Sequence, residues 1–273
     1  MKTKVSYLLN FFVIVGVIFA LSIFCFAQDR GGGGQRGQQA PAPPLKPTAS
    51  DTLKTNDGDL KITPVNHAGV MFQLGNGVLY VDPVGNYSEM PKADDILITD
   101  IHGDHMNADA VKTLSKAGTV VIAPPEVTKT IMEAKPLANG ASETIKLNGK
   151  NIKIEAVPMY NTVRGPAAGQ FYHTKGRGDG FILNVGGKRI YLAGDTECTA
   201  EMKGLKNIDV AFLPMNLPFT MTPQEAADCV KAFKPAVVYP YHYRDNDPAT
   251  DPQQFADALK GTQGVEVRMR NWY

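Results

Sequence analysis

Residues 98–105 read Ile98-Thr99-Asp100-Ile101-His102-Gly103-Asp104-His105, a β-branched run that stops abruptly at two carboxylates and two imidazoles. Capping a helix that begins near Asn107 needs one side-chain acceptor, so a capping role leaves both histidines without a purpose. The pattern reads instead as a strand delivering metal ligands to the rim of a sheet. Gly103 is expected to free the backbone there, so that a tight turn aims the side chains at one or two ions.

The same arrangement recurs outward along the chain. Residues 78–82 form an apolar run ending in Asp82, residues 189–195 end in Gly194-Asp195, and residues 237–242 end in His242. His67 follows the run 60–65, and His173 lies in a Gly-rich loop before the run 181–185. Further short β-branched runs lie at 70–74, 119–123, 144–147, 152–159, 210–214 and 265–269. Two helix starts are signalled. Thr222-Pro223-Gln224-Glu225 is a capping box with Pro at the first helical position, and Asp251-Pro252-Gln253-Gln254 repeats the arrangement. Ala226, Ala227, Val230 and Phe233 then make an apolar stripe suited to a sheet face. Two packed sheets with helices outside, an α/β (α+β) layered fold, is the economical architecture.

Composition narrows the function. The chain has 273 residues, 43% hydrophobic and 20% charged, with 26 Gly and 19 Pro, which excludes a collagenous chain, a polyelectrolyte and a polytopic membrane protein. A formal net charge of +1 argues against an electrostatic grip on nucleic acid or anionic lipid. Three cysteines cannot build a disulfide framework or a four-cysteine zinc site, so a metal must rely on His and carboxylates. Cys198 reads as a buried structural thiol, with pairing to Cys229 left open.

Lys2 and Lys4 precede an apolar stretch over 7–27, and Cys25 and Ala27 suit a cleavage site, so residues 1–27 are expected to be a secretory signal peptide. The stretch is also long enough for an uncleaved membrane anchor. Residues 28–50, rich in Gly, Gln and Pro, are expected to be a disordered spacer, and 51–273 one domain. An exported protein, periplasmic or secreted, follows.

The stretch 98–105 resembles the Thr-His-x-His-x-Asp-His signature of the metallo-β-lactamase superfamily, with Asp100 where the first His is usual. Val81-Asp82-Pro83 is similar to that family's early strand-end Asp, Ala193-Gly194-Asp195-Thr196 to its bridging carboxylate and Tyr239-Pro240-Tyr241-His242-Tyr243 to its last His, in order along the chain. Asn66-His67-Ala68-Gly69 looks most like the branch containing the ascorbate-6-phosphate lactonase. The resemblance implies a four-layer αββα sandwich with metals at one edge between the sheets. It places Asp100 and His102 on one ion, Asp104, His105 and His242 on the other, and Asp195 as a bridge. For the family's mid-chain His, the sequence offers His173 or, through its amide oxygen, Asn161. Asp82 would orient the ligand loop, and His67 and Asp104 would handle protons.

Carboxylate at Asp100 makes the first pocket richer in oxygen, so Mn²⁺ or Fe²⁺ stands beside Zn²⁺. Neither a Gly-x-Ser-x-Gly elbow nor a cysteine with a sequence-adjacent His is present, which leaves a metal-activated water as nucleophile. Arg164, Arg177 and Arg244 could meet an anionic group on a substrate, and residues 214–221 either wall the pocket or belong to the core. The expected activity is hydrolysis of a small ester, lactone or phosphoester. A metal-binding scaffold without catalysis and a non-hydrolytic metal oxidoreductase are the other readings. The sequence does not speak to the oligomeric state.

Overall fold

Each half of the body forms one sheet of seven strands in chain order. This is seen in a computed structural model that describes residues 42–273. The first sheet runs β1 (Asp51–Thr55), β2 (Gly58–Asn66), β3 (Gly69–Leu74), β4 (Gly77–Val81), β5 (Asp95–Leu97), β6 (Val120–Ala123) and β7 (Lys135–Pro136). The second runs β8 (Ser142–Leu147), β9 (Lys150–Met159), β10 (Gly178–Val185), β11 (Lys188–Leu192), β12 (Val210–Pro214), β13 (Val237–Tyr241) and β14 (Glu266–Val267). Both sheets open as antiparallel meanders and turn parallel at their fourth strand.

Side-chain alternation decides the layers. Val70, Phe72 and Leu74 of β3 and Leu79 and Val81 of β4 pack with Ile152, Ile154 and Phe181 of the second sheet. Met71, Val78 and Tyr80 point the other way, toward Ala110, Val111 and Leu114 of α1 (Ala108–Leu114). Across the molecule α2 (Ala200–Lys203), α3 (Pro223–Phe233) and α4 (Pro252–Ala258) follow strands of the second sheet, and Ala226, Ala227, Val230 and Phe233 of α3 are buried. Helix, sheet, sheet and helix stack as expected. β1 and β7 went unforeseen because they are sheet-edge strands with mostly exposed or half-buried residues, and pairing alone defines them.

The capping box at Thr222 and Glu225 forms as read. Its expected repeat is only half made: Asp251 accepts from the Gln253 N–H at 2.8 Å, while the Gln254 side chain donates to the Pro248 carbonyl. Cys198 corrects the sequence reading more substantially. It is bonded to Cys229 and so ties the segment after β11 to α3.

The leader expected over 1–27 and most of the spacer expected over 28–50 lie outside the described residues. Residues 42–50 form no helix or strand. They are nonetheless held to the domain, with Leu45 N–H donating to the Asn86 carbonyl at 2.8 Å and Thr48 Oγ1 to the Pro64 carbonyl at 2.6 Å.

Candidate metal centre

The ends of β2, β4, β5, β9, β11, β12 and β13 converge on one rim of the sandwich, where the carboxyl ends of strands leave main-chain groups free to shape a site. After β5, Thr99 is fixed by Asp82: its N–H donates to Oδ1 at 2.7 Å and its hydroxyl to Oδ2 at 2.6 Å. The same Oδ2 lies 2.8 Å from His105 Nδ1. Asp82 therefore touches both the strand end and the imidazole that follows it. The intervening turn closes through His105 and Met106 N–H groups on the His102 carbonyl. Gly103 is not what permits it. Its φ is unexceptional and an added Cβ would meet nothing within 4 Å. Asp100 and Asp104 do not cap α1 either, since Asn107 takes that role by accepting from Ala110 N–H at 2.8 Å.

Gly194 is the glycine the site requires. Its φ is +64°, and a Cβ there would sit 2.5 Å from Met159 Sδ and 3.2 Å from Thr99 Cβ. Tyr241 Oη accepts its N–H at 2.9 Å. The next residue, Asp195, is 2% exposed and divides its carboxylate between two groups of ligands. Oδ1 lies 2.9 Å from His242 Nε2 and 3.4 Å from His105 Nε2, and Oδ2 lies 3.2 Å from His173 Nε2. His173 also approaches Asp100 Oδ2 at 3.7 Å, and His102 Nδ1 lies 2.6 Å from the same oxygen. Asp104 Oδ2 lies 3.7 Å from His242 Nε2 and 3.5 Å from His67 Nε2. Ligand atoms of Asp100, His102 and His173 fall within 4.8 Å of one another, as do those of His105, Asp195 and His242 and those of His67, Asp104 and His242.

His173 and Asn161 are placed differently. His173 brings Nε2 to Asp195, and Asn161 Oδ1 accepts from both the main-chain N–H and Nδ1 of His173, at 2.7 and 2.8 Å. The amide oxygen is thus occupied in holding the histidine. Asn161 is anchored in turn by Nδ2 on the Phe219 carbonyl at 2.8 Å and on Glu197 at 3.3 Å. Glu197, unforeseen in the sequence, also accepts the N–H groups of Thr162, Val163 and Arg164. Burial opposes its charge, yet these donors draw its carboxyl down to about 2.

Electrostatics at the centre are those of a cation site. Burial disfavours charge on Asp195, but His242 and His105 outweigh it and hold the carboxyl well below its usual range. At His105 burial works against the proton, but Asp195 and Asp82 outweigh it and favour the protonated ring. At His242 burial prevails and the proton is disfavoured. Burial raises Asp104 less than His67, His105 and His242 lower it, so it stays ionised. Asp195 Oδ1, Asp100 Oδ1 and His173 Nε2 are buried without a hydrogen bond in line. Such orphaned acceptors, beside paired imidazoles, are a donor set that fits divalent metal.

Backbone strain gathers here too. Seven non-glycine residues among those described have φ in the left-handed region, and three of them, His67, Asp82 and His242, belong to this centre. Over it lies a cavity of about 260 Å³ lined by His102, Asp104, Tyr172, His173, Asp195 and Phe219. The segment 214–221 divides its roles, with Phe219 lining the cavity and Met215 and Met221 in the core. A larger hollow of about 450 Å³ among Tyr243, Asp247 and Pro252 holds none of the histidines.

The three arginines separate. Arg177 Nη2 lies 3.3 Å from Asp100 Oδ2 at the centre. Arg244 donates from Nε to Asn216 Oδ1 at 2.9 Å and lies over the Phe219 ring. Arg164 is committed to Glu197 and Glu225, at 3.3 and 2.7 Å, and does not line the cavity.

A beta-lactamase superfamily domain model matches residues 61–242. A metal-dependent hydrolase of Thermococcus onnurineus is 31% identical over 208 residues, 72% of this chain and 90% of the relative. A Parabacteroides distasonis protein of known crystal structure is 42% identical with a TM-score of 0.73, covering 81% of this chain and 98% of that one. A metallo hydrolase from Ignicoccus hospitalis shares the fold at 24% identity and a TM-score of 0.62, over 78% of this chain and 95% of that one.

Proposed function

Since the chain belongs to the metallo-β-lactamase superfamily and is a metal-dependent hydrolase, we propose that it splits a small ester, lactone or phosphoester at the Asp195 centre. The observation that carries this is the division of Asp195, whose two oxygens face separate groups of ligands. In this reading Asp100, His102 and His173 hold one ion, and Asp104, His105 and His242 hold a second. Asp195 lies between them. Zn²⁺ suits the imidazole-rich set, and Mn²⁺ or Fe²⁺ suits the set containing Asp100. When bound, a divalent pair supplies Lewis-acid polarisation and a water acidic enough to attack near neutral pH.

The chain's own residues do the remaining work. Asp82 holds His105 by Nδ1, and Asn161 holds His173 by Nδ1, so both rings present Nε2 inward. Tyr172 and Phe219, edge to face at 4.9 Å, wall the cavity and exclude water from one side. His67, 3.5 Å from Asp104, is placed to relay a proton to the leaving group, with Asp104 as its ionised partner. Arg177, beside Asp100 at the centre, and Arg244, over the cavity-lining Phe219, are placed to meet an anionic substrate, whereas Arg164 is held by Glu197 and Glu225. A cavity of about 260 Å³ is below the usual range of ligand pockets, roughly 300–1,000 Å³, which favours a small substrate.

The Cys198–Cys229 bond supports an oxidising compartment, in keeping with export directed by residues 1–27. The test is a panel of lactones, phosphodiesters and aryl esters offered to metal-reconstituted wild type and His105→Ala. Turnover by the wild type, lost at least 100-fold in the variant, is expected. Equal rates from both would contradict the reading.

A further inference from the structure

His67 stands at the turn between β2 and β3 with its main chain clamped on both sides. Its N–H donates to the Trp272 carbonyl at 3.1 Å, and its carbonyl accepts the His242 N–H at 3.3 Å. Trp272 is fully buried, its ring 5.7 Å from that of Tyr241 and 6.2 Å from that of Phe212. Core packing at Trp272 therefore delivers the next residue, Tyr273, to a fixed place beside the metal centre. Tyr273 Oη lies 2.7 Å from His67 Nδ1 and donates to the Tyr243 carbonyl.

A phenol carries one proton and a carbonyl can only accept. With that proton on the Tyr243 carbonyl, Oη can meet His67 only as an acceptor. Nδ1 must then bear the hydrogen. Nε2 is the ring's other nitrogen and lies 3.5 Å from Asp104 Oδ2, in a ring set edge to face on His242 at a centroid distance of 4.0 Å.

We propose that Tyr273 is a positioning residue for His67, holding the imidazole as the Nδ1–H tautomer with Nε2 turned toward Asp104 and the metal centre. The role rests on the reading of His67 as part of the reactive site, but the tautomer itself does not depend on any turnover. Without the hydroxyl, nothing in the Tyr273 ring distinguishes the two nitrogens.

The test is long-range proton–nitrogen correlation on histidine-labelled, metal-loaded protein, comparing wild type, Tyr273→Phe and Tyr243→Phe. Wild type should show His67 protonated at Nδ1 alone. Tyr273→Phe keeps the ring and should give mixed tautomers, while Tyr243→Phe keeps the carbonyl and should match wild type. On a substrate found by the panel above, Tyr273→Phe should lower kcat about tenfold with KM changed less than twofold, the effect of losing a partner that orients a histidine. A wild-type His67 protonated at Nε2, or an unchanged Nδ1–H signature in Tyr273→Phe, would overturn the proposal. Failure of the substrate panel would leave these spectra as they are, so the two readings fail separately.

Discussion

His105 and His242, 137 positions apart in the chain, meet Nε2 to Nε2 at 2.9 Å with Asp195 Oδ1 against both. Two bare imidazole nitrogens repel at that distance, so a hydrogen on one of the rings, or a cation, must stand between them. Protonation of His105 is favoured there, and a divalent ion competes for the same place. Metal affinity should therefore fall as pH drops, because the ion must displace that proton. Isothermal titration with Zn²⁺ in buffers of different ionisation enthalpy should show proton release on binding.

A ligand held only by the folded state stabilises it by about 2.7 kcal/mol at a hundredfold excess over its dissociation constant. For a domain of this size that is a melting shift of roughly 5–10 °C. Chelator should lower the transition by that amount and excess Zn²⁺ should restore it. A transition indifferent to both would speak against a resident metal.

Asp82 touches the centre only through His105 and Thr99. Asp82→Asn should weaken metal binding about 10- to 100-fold, measured by competition with a chromophoric chelator.

Much of the centre was legible because its residues sit where apolar runs stop: Asp82, Asp100, Asp195 and His242 each follow a strand that hydrophobic alternation reveals. The two halves, each with strands before helices, likewise disclosed the layers. What escaped depended on partners distant in sequence. Tyr273 meets His67 across 206 positions, and Glu197 serves N–H groups more than 30 positions before it. Neither carries a local signature. Gly103 misled for the opposite reason, since a glycine inside a motif looks necessary while only tertiary packing shows that Gly194 is the constrained one. Gly103→Ala should accordingly change stability by less than about 0.5 kcal/mol, whereas Gly194→Ala should cost roughly 2–4 kcal/mol in urea unfolding.

The Cys198–Cys229 bond closes a loop with a sequence separation of 31. Chain entropy assigns such a crosslink about 3–4 kcal/mol, so reductant or the double Ala variant should lower the urea midpoint accordingly. The loss should appear as a shift in midpoint measured with and without reductant.

Asp95 is 3% exposed, and burial first, then neighbouring Asp94, pushes its carboxyl up to about 7. The folded state then binds a proton that the unfolded chain has released, so this residue makes stability fall between about pH 4 and pH 7 as pH rises. Asp95→Asn should remove that contribution and gain on wild type by up to about 1.4 kcal/mol per pH unit across the window. Urea midpoints of both proteins at pH 5 and pH 8 would register it.

The most direct measurement is an anomalous difference map from crystals grown with Zn²⁺. Two peaks about 3.5–4 Å apart are expected, one on each side of the Asp195 carboxylate. One should be bound by Asp100, His102 and His173, and the other by Asp104, His105 and His242. A map with no peak in bonding distance of Asp195, or with these side chains turned away from any ion, would contradict the account.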